Sequence, residues 1–208
     1  LLKQNCKLIL IACNSASAVA YELVKEYVGR KAIVMDVINP MIDYLAKNYI
    51  DKTIGLIGTK QTVNSNIYRK KLDELGINIR LNTLATPLLV PLIEEGFADQ
   101  AIMTDAIKSY LSESSLHNLD ALVLACTHYP LIKQPIKQFF KNKTVIIDST
   151  DIVAEVVKNL LIARDLLSSP SSLSKKKFYV SDYTPAFSAL TRLFFKMPIL
   201  LERYPLWE

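Results

Sequence analysis

Residues 8–17 read LILIACNSAS, and residues 121–130 read ALVLACTHYP. Each stretch is an apolar run that leads into Ala-Cys, then into small polar residues and the start of a predicted helix. Elsewhere, short runs rich in Ile, Val and Leu alternate with longer segments of helical periodicity. The runs show little period-two alternation, which is typical of parallel strands covered by helices on both faces. The sequence therefore predicts a doubly wound α/β fold in which two related half-units carry the Ala-Cys turns.

The same patterns predict the individual elements. Strands are expected at residues 8–12, 32–37, 53–57, 78–83, 122–125, 144–148 and 177–180. Helices are expected at residues 16–27, 40–48, 62–75, 100–111, 131–140 and 152–163, with Gly76 placed to end the third. Residues 168–177, SSPSSLSKKK, form a predicted exposed linker before the last strand.

Composition narrows the function classes. The chain has 208 residues, 22% of them charged, and a net charge of +5, which is typical of a soluble globular protein. Its Lys and Arg residues are scattered, which predicts no nucleic-acid partner. No apolar run reaches the roughly 18 residues of a membrane helix, so no membrane partner is expected. Three widely spaced cysteines make a poor disulfide framework and favour a reducing cytoplasm.

Two of the cysteines occupy positions suited to chemistry. Cys13 and Cys126 each follow a predicted strand and precede a predicted helix. Ligands gather at the carboxyl ends of parallel strands, and a helix N-terminus favours the thiolate over the thiol. The competing interpretation is a buried structural cysteine, but packing alone gives little reason for polar residues to recur after both. Cys6 has no such setting and is predicted to be structural.

The pair of thiols favours one reaction class over others. A zinc site is disfavoured because the chain has no C-x-x-C and only two histidines. Thiol–disulfide exchange usually needs cysteines that are close in sequence. A Cys126 nucleophile with a His128 base would leave Cys13 unexplained. Two thiols can instead act on one carbon, one removing a proton and the other returning a proton to the opposite face. That is racemisation.

Four motifs carry a family resemblance: ACNSAS at 12–17, GTKQTVNS at 58–65, VPLIEEG at 90–96 and ACTHYP at 125–130. Together they resemble the glutamate racemases of the cofactor-independent Asp/Glu racemase superfamily. The resemblance implies two α/β domains related by a pseudo-twofold, residues 1–36 plus 152–208 and residues 37–151, with the active site between them. It also implies interconversion of L- and D-glutamate without a cofactor, which supplies D-glutamate for peptidoglycan. The oligomeric state stays open, with a homodimer as one candidate.

The resemblance also implies roles for four catalytic residues. Cys13 would deprotonate D-glutamate, and Cys126 would deprotonate L-glutamate. His128 would lie beside Cys126 and steer its protonation, with Glu94 near the same side. Without the resemblance, Glu94 reads as an ordinary surface carboxylate.

Five further residues are implied as substrate contacts: Asn14, Ser15, Thr59, Thr62 and Thr127. Ser15 replaces the usual Thr of the family and keeps its hydroxyl. Thr59 and Thr62 lie where a strand meets a helix, a setting suited to a helix cap and to a carboxylate cradle. A simple N-cap is the alternative interpretation for Thr59.

The chain departs from the family pattern upstream of ACNSAS. Family members carry an Asp-Ser-Gly turn and a Tyr-Gly turn there, and neither is present in this sequence. We therefore expect an N-terminally incomplete chain with an incomplete Cys13 half-site. The alternatives are a racemase of aspartate or a related acidic substrate, a non-catalytic dicarboxylate-binding protein, and a Cys126–His128 hydrolase.

Overall fold

The computed structural model describes residues 1–169, 175–183, 191, 194–195, 197 and 199–205. Strands and helices alternate along the chain, and all paired strands are parallel, which confirms the predicted α/β class. The strands are β1 (Leu8–Ile11), β2 (Ile33–Asp36), β3 (Thr53–Gly58), β4 (Arg80–Ala85), β5 (Ala121–Ala125), β6 (Val145–Asp148), β7 (Phe178–Val180) and β8 (Leu201–Arg203). The helices are α1 (Asn14–Val28), α2 (Ile38–Asn48), α3 (Lys60–Asn64), α4 (Ile67–Glu74), α5 (Leu89–Glu94), α6 (Ala101–Leu111), α7 (Lys133–Phe139) and α8 (Ser149–Ala163). Short 3₁₀ helices span Leu2–Gln4, Ser114–Leu116 and Tyr129–Ile132.

The main sheet has the strand order β4-β3-β5-β6. Gly58, the last residue of β3, lies opposite Ala85 on one side and Ala125 on the other. The carboxyl ends of β3 and β5 are therefore neighbours, and the residues that follow them, Thr59 and Cys126, leave the sheet at the same edge.

Apolar residues cover both faces of the main sheet, because successive side chains of a strand point to opposite faces. Along β5, Ala121, Val123 and Ala125 pack in one core cluster with residues of α2, α4 and α8. Leu122 and Leu124 pack in the other cluster with residues of α5, α6 and α7. All of β5 is buried, as its unbroken apolar sequence predicts. Cys126 continues the second set and lies on the α5–α7 face.

Two smaller sheets accompany the main one. β1 pairs with β2, with Leu8 opposite Ile33, and α1 packs against β2. β7 pairs with β8 near the end of the chain. The division into residues 1–36 plus 152–208 and residues 37–151 stays a prediction. None of the helices in the described part of the chain is long and apolar enough to cross a membrane.

The structure corrects several predicted elements. The single helix predicted at 62–75 is wrong: α3 ends at Asn64, and α4 begins after Asn66, which has a left-handed backbone with φ of 54°. Helical hydrogen bonding cannot run through a left-handed residue. Helix α5 and strand β8 were not predicted. Within the predicted linker at 168–177, residues 170–174 lie outside the described residues.

Candidate active site

The Cys13 side of the site is built by the step from β1 into α1. Cys13 has extended backbone, with φ of −140°, and is the N-cap residue of the 15-residue helix α1. Its carbonyl accepts a hydrogen bond from the Ser17 N–H at 2.8 Å, and Ser17 Oγ donates to the Ile11 carbonyl at 3.1 Å. Cys13 is exposed. The Cys13 thiol is thus accessible at the N-terminus of a long helix.

The Cys126 side follows β5 and has a different environment. Cys126 is 8% exposed, and its carbonyl accepts from the Tyr129 N–H at 3.2 Å in the turn that enters the 3₁₀ helix. Burial raises the pKa of the Cys126 thiol to about 11. Backbone hydrogen bonds in that turn lower the pKa, whereas charges on Cys13 and Glu94 raise it. The two thiols therefore lie within electrostatic reach of each other, and Cys126 is protonated at neutral pH.

A relay of polar groups connects Cys126 with a carboxylate. Cys126 Sγ lies 3.9 Å from His128 Nδ1, and His128 Nε2 lies 3.1 Å from Glu94 Oε1. Glu94 is the last residue of α5. The structure thus brings together three residues that the family motifs single out. The ring of Phe194 meets His128 edge-on, with 5.6 Å between ring centroids, and no sequence signal pointed to that contact.

Three hydroxyl groups form a cluster between α1 and α3. Ser15 Oγ lies 2.7 Å from Thr59 Oγ1 and 3.3 Å from Thr62 Oγ1, and the two threonine oxygens are 3.1 Å apart. The Thr62 N–H donates to Thr59 Oγ1 at 3.2 Å, so Thr59 also caps α3. The N-cap interpretation of Thr59 is correct, and the same hydroxyl belongs to the cluster. Such hydroxyls can donate hydrogen bonds to a carboxylate.

Asn14 and Thr62 are the two buried residues among the predicted contacts, each 2% exposed, and Asn14 has the closer side-chain partner of the two. Asn14 Oδ1 accepts a hydrogen bond from the Tyr68 hydroxyl at 2.7 Å. Its Nδ2 is buried and has no hydrogen-bond partner among the described residues. Tyr68 was missed at the sequence level because it lies at apolar spacing with Leu72 on the buried face of α4, the pattern of an ordinary core residue.

Thr127 is the last of the predicted substrate contacts. Thr127 is half-buried between Cys126 and His128. The three cysteines are free thiols. Residues 1–169 and the other described positions contain no group of three or more His, Cys, Asp or Glu residues that could hold a metal ion. The site thus offers two thiols of unequal exposure and a set of hydrogen-bond donors, an arrangement able to move protons at a carbon beside a carboxylate.

The chain is similar to known proteins. A family described as Asp/Glu/hydantoin racemase matches residues 1–157. A glutamate racemase of Chlorobium phaeobacteroides is 36% identical over 188 residues, which are 90% of this chain and 69% of that protein. A glutamate racemase of Chlorobaculum parvum is 36% identical over 194 residues, 93% of this chain and 71% of that protein.

Two solved structures are similar over nearly all of the chain. One is a glutamate racemase of Francisella tularensis in complex with D-glutamate, with a TM-score of 0.87, 33% identity, and coverage of 98% of this chain and 75% of that one. The other is a glutamate racemase of Thermus thermophilus in complex with beta-chloro-D-alanine, with a TM-score of 0.84, 30% identity, and coverage of 99% and 75%.

Proposed function

The chain belongs to the Asp/Glu/hydantoin racemase family, and from that premise we propose that it interconverts L- and D-glutamate by a two-thiol mechanism. The observation that carries the proposal is the pair of free thiols, Cys13 and Cys126, each at the carboxyl end of a parallel strand and within electrostatic reach of the other. Relatives that match nine-tenths of the chain are glutamate racemases. No cofactor takes part in the proposed reaction.

The unequal environments of the thiols suit opposite roles. In the direction from D- to L-glutamate, the Cys13 thiolate removes the α-proton, and the Cys126 thiol gives its proton to the opposite face of the carbanion. Burial keeps Cys126 protonated at neutral pH, as an acid must be. The reverse direction starts from Cys126 thiolate and Cys13 thiol, so each turnover leaves the pair ready for the other enantiomer.

His128 and Glu94 supply a route for adjusting the proton on Cys126. A Glu94 carboxylate that accepts from Nε2–H leaves Nδ1 of a neutral His128 as a base facing the thiol. Glu94 thereby orients the His128 ring so that Nδ1 can accept a hydrogen bond from the Cys126 thiol.

The substrate carboxylates and ammonium group are proposed to contact four hydroxyls and one amide: those of Ser15, Thr59, Thr62, Thr127 and Asn14. Fixed donors of this kind bind the substrate and hold its α-carbon in place for proton transfer. We further propose that the protein is cytoplasmic, that it supplies D-glutamate for peptidoglycan, and that it forms a homodimer, which light scattering would test.

The first experiment is proton NMR of the 208-residue chain with L- or D-glutamate in D₂O. Loss of the α-proton signal from both enantiomers is the expected result, because each thiol serves one of them. Exchange with aspartate at an equal rate would contradict the assignment of glutamate as substrate. If neither glutamate enantiomer exchanges, the racemase proposal for this chain is wrong.

A further inference from the structure

The amide of Asn14 is satisfied on only one side. Its oxygen accepts the Tyr68 hydroxyl at 2.7 Å, but its nitrogen has no acceptor within the described part of the chain. A buried donor without a partner destabilises a fold by about 1–3 kcal/mol and is therefore rare. Asn14 directly follows Cys13, so its backbone belongs to the same helix N-terminus as one of the two thiols. An acceptor from outside the protein would satisfy the open donor.

The Tyr68 hydroxyl explains why the amide has this orientation. A phenol carries one proton to donate, and the described residues offer this hydroxyl no acceptor other than Asn14 Oδ1. If the amide were turned over, Nδ2 would donate to the Tyr68 oxygen, and the hydroxyl proton would have no acceptor. Burial, aided by the charge of Asp36, raises the pKa of Tyr68, so the group remains a donor at every working pH.

Tyr68 is itself held firmly in place. It is 3% exposed and packs beside Leu72, which is 2% exposed, against the main sheet. On the same helix, the Arg69 guanidinium donates to the Leu81 carbonyl of β4. Helix α4 is thereby fixed against the main sheet. Its Tyr68 in turn holds Asn14 of α1, which lies 54 residues earlier in the chain.

We propose that Tyr68 is a positioning residue for the reaction: it fixes the amide of Asn14 so that Nδ2 is presented to a carboxylate oxygen of the substrate. The inference rests on the proposed function for the identity of the ligand, glutamate. Tyr68 itself contacts no reacting atom.

A double-mutant cycle on the whole 208-residue chain tests the inference. The variants are Tyr68→Phe, Asn14→Ala and the double variant, and calorimetry measures the Kd of glutamate for each. Racemic glutamate is used because turnover does not change its composition. Each single variant is expected to weaken binding about tenfold, the usual range for a hydrogen bond to a charged group. The double variant is expected to bind no more weakly than Asn14→Ala, because Tyr68 acts through Asn14. Steady-state kinetics of Tyr68→Phe should show the same rise in KM, with kcat changed less than about threefold.

Tyr129→Phe is the matched control, since Tyr129 is also fully buried and its hydroxyl lies 2.6 Å from Thr86 Oγ1. Its effect on glutamate binding should add to that of Asn14→Ala. Unchanged binding in Tyr68→Phe, or additive losses in the double variant, would overturn the inference. A wild-type chain that binds glutamate without exchanging its α-proton would overturn the racemase function alone. The double-mutant cycle would still test the role of Tyr68 in binding. A wild-type chain that does not bind glutamate would overturn both.

Discussion

Two cysteines in matching sequence contexts have unequal surroundings. Cys13 is exposed at the N-terminus of a long helix, whereas Cys126 is 8% exposed and lies on the α5–α7 face of the main sheet. Desolvation penalises the charged form of a thiol, so burial raises the pKa of Cys126 to about 11. Cys126 therefore holds its proton at neutral pH, which suits the proton donor of the proposed reaction from D- to L-glutamate.

Replacing either thiol should separate racemisation from simple proton abstraction. Cys13→Ser and Cys126→Ser are each expected to slow racemisation by about 10²–10⁴-fold, the usual contribution of a positioned acid or base. Each variant should still eliminate a leaving group from a suitable glutamate analogue, since that reaction needs one base. Polarimetry measures the first reaction and product release the second.

Cys6→Ser is the control for those variants, because Cys6 is half-buried near the start of the chain and lies outside the proposed machinery. It should racemise at the wild-type rate. A wild-type rate in Cys13→Ser would contradict the two-thiol mechanism.

The protonation of Cys126 can be measured directly. The rate at which iodoacetamide alkylates Cys126, followed by peptide mass spectrometry, should rise with pH to a midpoint of about 11. Glu94→Gln should move the midpoint to lower pH, because the Glu94 charge raises the pKa of the thiol. Glu95→Gln changes the neighbouring exposed carboxylate, which does not act on Cys126, and should leave the midpoint in place. A higher midpoint in Glu94→Gln would contradict this account of the electrostatics.

Among the elements, the break between α3 and α4 matters most to the site. Thr62 in α3 joins the hydroxyl cluster, and Tyr68 in α4 holds Asn14. One continuous helix could not direct both side chains as observed, since the turn at Ser65 and Asn66 separates the two helical segments. The left-handed residue Asn66 is thus the local feature that shapes this side of the site.

Substitution of Asn66 tests the importance of its conformation. Asn66→Ala should lower the free energy of unfolding by about 1 kcal/mol, because a left-handed backbone costs an L-residue with a Cβ about 1–2 kcal/mol. Asn66→Gly should stay within about 0.5 kcal/mol of wild type, since glycine adopts this conformation freely. Urea unfolding measures both values. Equal stabilities of the Ala and Gly variants would show that the turn tolerates a different backbone conformation.

At the scale of the whole molecule, the site is the place where the β1–β2 unit meets the main sheet. Ser15 and Asn14 of α1 reach Thr59 and Tyr68, which follow β3 in the chain. A ligand held by groups from both sides binds only the folded state, so binding and folding are linked.

Glutamate should therefore stabilise the chain against heat. At 100 times its Kd, a ligand specific to the folded state adds about 2.7 kcal/mol, which raises Tm by about 5–10 °C for a chain of this size. Thr59→Val should reduce the rise at the same glutamate concentration, whereas the exposed Thr104→Val on α6 should not. Differential scanning calorimetry measures the shift. An unchanged wild-type Tm would mean that glutamate is not bound by the folded chain.

The sequence by itself determined the α/β class, all seven predicted strands to within two residues, and the place of both cysteines at strand ends. It could do so because hydrophobic periodicity, the Ala-Cys steps and the family motifs are local patterns. The break between α3 and α4 was missed because residues 62–75 keep a helical pattern across the left-handed residue Asn66.

Only the tertiary structure decided what surrounds those residues. Packing buries Cys126. Packing also brings together the members of the His128–Glu94 pair and of the Tyr68–Asn14 hydrogen bond. Solvation and hydrogen bonding depend on neighbours in space, and here those neighbours lie 34 to 54 residues away in sequence. The sequence therefore identifies the two thiols, and the packing around Cys126 is what keeps that thiol protonated at neutral pH.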